Sequence, residues 1–422
     1  MPASTHPLIR PPMQMGGRTT NLAWTPPRPS TPQACHPLTV TTVESAGEFH
    51  ALGPAWRDLW RRSVERTPFN SWEFVATWWR HFVVGRNGGA TGDIQVLVLR
   101  DSRGQIVGIA PKFVEHNMGQ PELGTTLQPF GRSNSFETMT DEPMMVLHRS
   151  HERQTQAAIQ TFLRDSALGS RWDMAVTRTM VSLSSPSNQP SVLRWRGPAV
   201  EVDRQSTGTI AVPLGTSWDR YRAGLSKSMR DNIAYYPRRL EREVGAFSVH
   251  IARRPASVAR AMEHLIHLHR LRSLGREGIP HRNHIPGQQH AAFIEDSLVR
   301  LSAIGRVAVA TLTVDDEVIG AHAFLQTPRT VWAYYSGFDP QWRRFSPLTI
   351  ITAEFLRQAI DLGARQLCFA PGQAPWKSRW GGKPTGHVNE TSVYAVRPGA
   401  LVRGVFRRLR WRATAGQLLQ RG

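Results

Sequence analysis

Apolar positions along the chain follow two rhythms, one of three to four residues and one of nearly continuous β-branched and aromatic runs, and these predict helices and strands respectively. A short strand is expected over 38–43. Over 55–64, Trp56, Leu59 and Trp60 share one helical face, and Pro68 breaks that helix. Ser71 is placed to cap the next helix, SWEFVATWWRHFV, which has Glu73 in its first turn. The runs 94–99 and 106–113 flank a turn at 101–104 and predict a β-hairpin. The polar, glycine-rich stretch 115–142 reads as a loop, 151–163 as a helix, 172–177 as a strand and 182–190 as a linker.

The second half repeats this order with longer elements. A basic helix is expected over 226–244, kinked or broken at Pro237. A strand over 247–252, helices over 257–273 and 291–304, and strands over 307–314 and 318–326 around Asp315-Asp316-Glu317 follow. The last strand is expected over 388–396. Helix pairs, a hairpin, then a helix and a strand thus occur twice, which predicts an α/β chain of two tandem domains, 38–190 and 191–398, with mixed central sheets flanked by helices.

One stretch, 331–380, carries the chemistry. VWAYYSGF reads as a strand that ends at Asp339-Pro340. The turn Gln341-Trp342-Arg343-Arg344-Phe345-Ser346-Pro347 follows, then an apolar helix ending near Gly363, then a strand over 366–370. In the order strand, cationic turn, helix, strand, the loop amides and helix N-terminus converge on one spot suited to an anion such as a pyrophosphate. Arg343, Arg344, Phe345 and Ser346 are therefore the expected cofactor-binding residues. The plain alternative is a solvated arginine turn before an ordinary helix.

Composition changes the picture in three places. The first 37 residues hold nine prolines and no acid, which reads as a disordered leader. Two cysteines, Cys35 and Cys368, exclude a disulfide framework and suggest a reducing, cytoplasmic setting. No apolar run reaches the roughly 18 residues of a membrane-spanning helix. With 52 Lys and Arg against 32 Asp and Glu, the net charge of +20 suits an anionic partner: a nucleotide cofactor, tRNA, an acidic polymer or a membrane surface. The segment 399–422 reads as a basic amphipathic helix, with Arg403, Arg407, Arg408, Arg410 and Arg412 opposite Leu401, Val405 and Phe406. Peripheral contact with anionic lipid, contact with RNA, or packing on its own domain all satisfy that pattern.

The stretches SKSMRDNIAYYPRRLE, LHRLRSLGREG and 318–382, together with WRDLWRRSVERTPFNSWEFVATWW and GQIVGIAPKF, resemble the GNAT-type acyltransferases of the cellulose-biosynthesis CelD/BcsL group, relatives of the Fem peptidyltransferases. The resemblance covers about 38–396. It implies two GNAT-like domains in tandem and acyl transfer from acyl-CoA to an amine, in envelope or polysaccharide metabolism. It also implies a small-molecule or glycan amine as acceptor, with aminoacyl-tRNA as an alternative donor. The chain departs from the family at Cys368 and Gln373, where carboxylates are usual, and keeps the lysine as Lys377. A binding protein without catalysis is the third option.

Acyl transfer to an amine needs a neutral amine, a stabilised oxyanion and a proton or positive field for the leaving thiolate. Lys377, between Trp376 and Trp380, is the candidate to polarise the acyl carbonyl. His322, alternating with Ile319 and Ala321 on a strand, is the candidate base, and Tyr335 is a candidate proton donor to the thiolate. The plain readings are a surface lysine, a satisfied packing histidine and a core tyrosine. His264, His267, His269, His281, His284 and His290 crowd one region, yet no acid or cysteine completes a ligand set, so no metal is expected.

Overall fold

The computed structural model describes residues 37–396, apart from positions 64, 168 and 170 and the segments 85–91, 117–123, 134–142, 183–192, 197–198, 276–280 and 371–374. The proline-rich leader, the linker at 183–190, Cys35, Gln373 and the basic C-terminal segment lie outside the described residues. Among the described residues, no helix is long and apolar enough to cross a membrane.

The first half opens with β1 (Thr39–Val43) and the helices α1 (Ala46–Ala51), α2 (Gly53–Arg62) and α3 (Trp72–Trp79). Ser71 caps α3 as expected, its Oγ accepting the Phe74 N–H at 3.4 Å. The hairpin forms, but each arm is divided, into β2 (Gly92–Ile94) and β3 (Val96–Arg100), and into β4 (Ile106–Ala110) and β5 (Lys112–His116). The second division falls at Pro111, which has no N–H to give to a ladder. A strand not expected from the sequence, β6 (Thr125–Pro129), pairs with β5, and β7 (Val146–Leu147) pairs with β4. Helix α4 (Glu152–Ser166) and β8 (Met174–Ser182) complete the half.

β9 (Leu193–Arg196) leads into β10 (Ala199–Pro213), a long strand that the polar segment 203–208 hides in the sequence. Helix α5 (Trp218–Ala223) precedes α6 (Lys227–Glu243). α6 is not broken at Pro237; burial of Met229, Ile233 and Leu240 on one face offsets the lost backbone hydrogen bond. Then come β11 (Phe247–Ala252), α7 (Pro255–Leu274), α8 (Gln288–Ala303), β12 (Val307–Val314), β13 (Glu317–Gln326) and β14 (Thr330–Phe338). Asp315 and Asp316 turn the β12–β13 hairpin with φ of 46° and 65°, the left-handed pair that matches strand twist. A 3-10 turn, Pro340–Phe345, enters α9 (Pro347–Asp361), followed by β15 (Gln366–Phe369), α10 (Pro375–Arg379) and β16 (Lys383–Ala395).

Strand order reveals the repeat. One sheet runs β1-β3-β4-β7, and the larger one contains β11-β12-β13-β14 in the same antiparallel sense. In each half a single parallel pair follows, β6 with β8 and β14 with β15. β6 and β7 together take the place that β14 fills alone. The expected class, mixed α/β with mixed sheets flanked by helices, is the one observed. β16 and β10 lie between the two parallel pairs and join the halves into one 12-stranded sheet.

Three apolar clusters hold these layers. One joins α2 and α3 to α7, α8 and β14, with Phe74 and Phe293 rings at 5.5 Å and Phe69 against Tyr334 at 5.6 Å. A second packs α6 and α9 under β10 to β15, and a third packs α4 on β4, β5, β6 and β8. The first cluster ties β14, the strand that carries the expected site, to the opposite half of the chain.

Candidate functional site

β14 changes character in its middle. Against β13, His322 stands opposite Ser336 but Phe324 stands opposite Ala333, so two residues, Tyr334 and Tyr335, oppose Ala323 alone. This is a β-bulge, which bends a strand and re-aims its side chains. It places both tyrosines in the same buried cluster, their rings 4.5 Å apart and nearly perpendicular. The parallel ladder with β15 ends at the same point, its register closing at Ala333 opposite Phe369. Past the bulge β14 runs on to Phe338 while the β15 ladder has stopped, and this unpaired end of the two strands is the wedge.

The 3-10 turn and α9 begin where β14 ends. Asp339 caps the turn by accepting the Gln341 N–H at 2.9 Å. Ser346 joins turn to helix at φ 49° and ψ 60°, a left-handed conformation that costs a non-glycine residue about 1–2 kcal/mol. Its N–H closes the turn onto the Arg343 carbonyl at 3.0 Å, and its hydroxyl meets Thr349 Oγ1 at 2.8 Å. Pro347 has no N–H, and the Thr349 N–H turns back to the Ser346 carbonyl. Leu348 is therefore the first-turn amide that no described hydrogen bond engages.

The four residues expected at the cofactor thus differ in placement. Arg343 is exposed at the helix start, and its charge reaches Arg272. Arg344 lies 4.6 Å over the Phe345 ring and within 3.9 Å of Glu243, on the side of α6. Phe345 is buried and anchors the turn in the core. Ser346 shapes the backbone. Of the set, Arg343 is the exposed residue that lies in the turn leading to the start of α9 and whose charge bears on Arg272.

Lys377 is buried on α10, donates to the Ala370 carbonyl at the end of β15, and lies 5.7 Å from the Trp376 ring. It therefore occupies the β15 side of the wedge. His322 is buried on β13, with Nδ1 3.1 Å from Thr352 Oγ1 on α9 and its ring 4.1 Å from Phe324. Burial, helped by the Arg272 charge, pushes its pKa down to about 3, so it is neutral at any physiological pH. Tyr335 is buried beside His269, ring centroids 5.8 Å apart.

Sequence reasoning placed His269, His281 and His284 in one region but missed their meeting with Arg272 at Ser336. His269 and Arg272 reach it from α7, His281 and His284 from the segment that follows. This close approach depends on Gly337, where a Cβ would lie 2.3 Å from the His269 backbone nitrogen. Arg272 and His269 stand within LHRLRSLGREG, but the spacing gave no sign that a charge there is buried. Among the described residues, no group of three or more His, Cys, Asp or Glu is arranged to hold a metal. Cys368 is half-buried on β15. A cavity of about 760 Å³ lies elsewhere, in the first half beside Trp79, Gly92 and Trp172.

Residues 227–378 match the family model of the acetyltransferase (GNAT) domain. No curated protein matches the chain. Among solved structures, the chain is similar to FemX with a TM-score of 0.57 at 8% identity, over 83% of this chain and 96% of that one. It also matches a tandem GNAT protein from the clavulanic acid biosynthesis pathway (TM-score 0.42, 14% identity, 84% and 98% covered). L-PGS from Bacillus licheniformis gives a TM-score of 0.44 at 10% identity, with 87% and 97% covered. The acetyltransferase (GNAT) match spans α6 to α10, which include the elements around the wedge, and the fold over 83% of the chain is similar to that of FemX.

Proposed function

We propose that the protein is an N-acyltransferase that moves an acyl group from acyl-CoA to an amine acceptor. The observation that carries this reading is the coincidence of three features: the β14 bulge, the end of the β14–β15 ladder, and Arg343 at the start of α9. A chain that parts two parallel strands beside a cationic helix start offers main-chain partners to an extended pantetheine and a positive field to its pyrophosphate.

In this reading Arg343 and the Leu348 amide hold the phosphates. Lys377, held at the end of β15, places positive charge toward the acyl carbonyl as the oxyanion forms. The neutral amine attacks the carbonyl carbon, the C–S bond breaks, Tyr335 gives its proton to the leaving thiolate, and the proton lost by the attacking nitrogen restores the Tyr335 phenol. His322, neutral and engaged by Thr352, supports the α9 side of β13. The acceptor is a small-molecule or glycan amine, with cytoplasmic location and a role in envelope or polysaccharide metabolism as the setting. Supporting peripheral contact with an anionic membrane is the basic pattern of 399–422.

A thiol-release assay with acetyl-CoA and a panel of primary amines tests the reading. Arg343→Ala is expected to raise the KM for acetyl-CoA about tenfold or more, the worth of a hydrogen bond to a charged group. Lys377→Ala is expected to lower kcat. Absence of thiol release with every amine and several acyl chains would overturn the activity.

A second reading keeps transfer to an amine but takes aminoacyl-tRNA as donor. Favouring it are the exposed Lys227, Arg238 and Arg242 of α6, next to Arg344. Salt-dependent tRNA binding without CoA binding is its signature.

A further inference from the structure

Arg272 lies in the last turn of α7, and its guanidinium reaches across to β14. Nη1 donates to Ser336 Oγ at 3.3 Å, and the cation stands 5.0 Å from the Phe338 ring. Among the described residues no carboxylate pairs with it. Burial, with the like charge of Arg343, lowers its pKa to about 10, so it remains a cation at neutral pH. A desolvated cation without a counter-charge is expensive to keep.

The histidines beside it are arranged unequally. His269 Nδ1 lies 2.9 Å from the Ser336 carbonyl, which can only accept, and its Nε2 lies 3.1 Å from the His284 backbone N–H, which can only donate. Both His269 nitrogens are thereby used, and its tautomer is set as Nδ1–H. His281, ring centroid 4.9 Å from His269, keeps Nε2 buried with no hydrogen-bond partner among the described residues. Its pKa falls to about 3 through burial and then the Arg272 charge, so it is neutral. A neutral ring nitrogen carrying hydrogen is a donor.

An uncompensated cation and an unpartnered ring nitrogen therefore lie near each other on the α7 side of β14, just past the bulge, close enough for the Arg272 charge to act on His281. One ligand chemistry answers both. We infer that Arg272 and His281 bind an oxyanion of a substrate, a carboxylate or a phosphate, at the Ser336 end of β14. Arg272 supplies the charge and a forked set of N–H donors, and His281 Nε2–H supplies a donor from a second direction. The oxyanion belongs either to a carboxylate on the acyl acceptor or to a phosphate of the acyl donor. That assignment rests on the acyltransferase reading; the anion site itself does not.

The test is histidine-ring NMR on the full-length protein, titrated separately with succinate and with inorganic pyrophosphate. A saturable shift of the His281 signal is expected with at least one of them. Arg272→Gln is expected to weaken that binding at least tenfold, and Arg272→Lys less, with circular dichroism melting confirming that each variant is folded. Should Arg272→Gln not fold, His281→Phe is read instead by competition of the same anion, with a several-fold loss expected. Saturation by succinate alone assigns an acceptor carboxylate. Saturation by pyrophosphate alone assigns the donor phosphates. No saturable shift with either anion, or equal affinity in wild type and the folded variants, overturns the inference. Neither probe contains a thioester, so failure of thiol release and failure of this titration are separate results.

Discussion

The two halves carry the same parallel strand pair, and they treat the opening beyond it in opposite ways. In the first half, β6 pairs with β8 at Thr126–Met174 and Leu127–Ala175, and β6 meets β5 in regular register. Lys112 crosses from β5 into the opening, where Nζ donates to the Val176 carbonyl and lies 3.4 Å from Thr177 Oγ1. That side chain is 1% exposed. In the second half, the ladder ends at Ala333–Phe369 on a bulge that carries two tyrosines, with a cationic helix start at its mouth. A repeated fold thus yields one wedge that holds the protein's own amine and one that, in the proposed function, receives a ligand. Whether a parallel pair becomes a site depends on what the neighbouring strand sends into the gap.

The largest effect is expected from closing the second wedge. Gly337→Ala forces a Cβ against the α7 backbone at His269, and α7 must move away from β14. Overpacking of this kind costs about 1–3 kcal/mol, visible as a lower urea midpoint. Because the same shift carries Arg272 and His269 away from Ser336, acetyl-CoA turnover is expected to fall by more than the stability loss explains. An unchanged midpoint with normal turnover would show that the close approach is not required.

A smaller, pH-dependent effect sharpens the first wedge. Burial lowers the Lys112 pKa to about 7 in the folded protein, against about 10.4 when unfolded. Between those values the unfolded chain binds more protons, so folding stability rises with pH. Below pH 7 both states are protonated and this contribution is flat. Relative to Lys112→Met, the wild type is expected to gain up to about 1.4 kcal/mol per pH unit from pH 7 towards 10, read from urea melts. A difference that does not change over that range would place the amine in water.

How much of this is legible in the sequence differs between the wedges. The elements around the second were legible, because they are contiguous: the aromatic strand, the Pro-bounded cationic turn and the apolar helix follow one another over 331–361. Position alone could not separate Arg343 from Arg344, since the contact of Arg344 with Glu243 comes from α6 packing. Arg272 was equally out of reach, because the burial of its charge depends on β14 and on the return of His281 and His284. In the first half β6 is missed because Thr125, Thr126 and Gln128 read as loop residues, although Thr126 and Gln128 are fully buried in the sheet. Lys112 falls inside the expected hairpin strand 106–113, and nothing local says that its amine ends on β8. Contiguous chemistry was readable; chemistry assembled from separate strands was not.

The most direct test of the central claim is calorimetric titration of the full-length protein with CoA. One site per chain is predicted, weakened about tenfold or more by Arg343→Ala and unaffected by Lys112→Met. Two sites, no binding, or one site that survives Arg343→Ala but is altered by Lys112→Met would contradict the account.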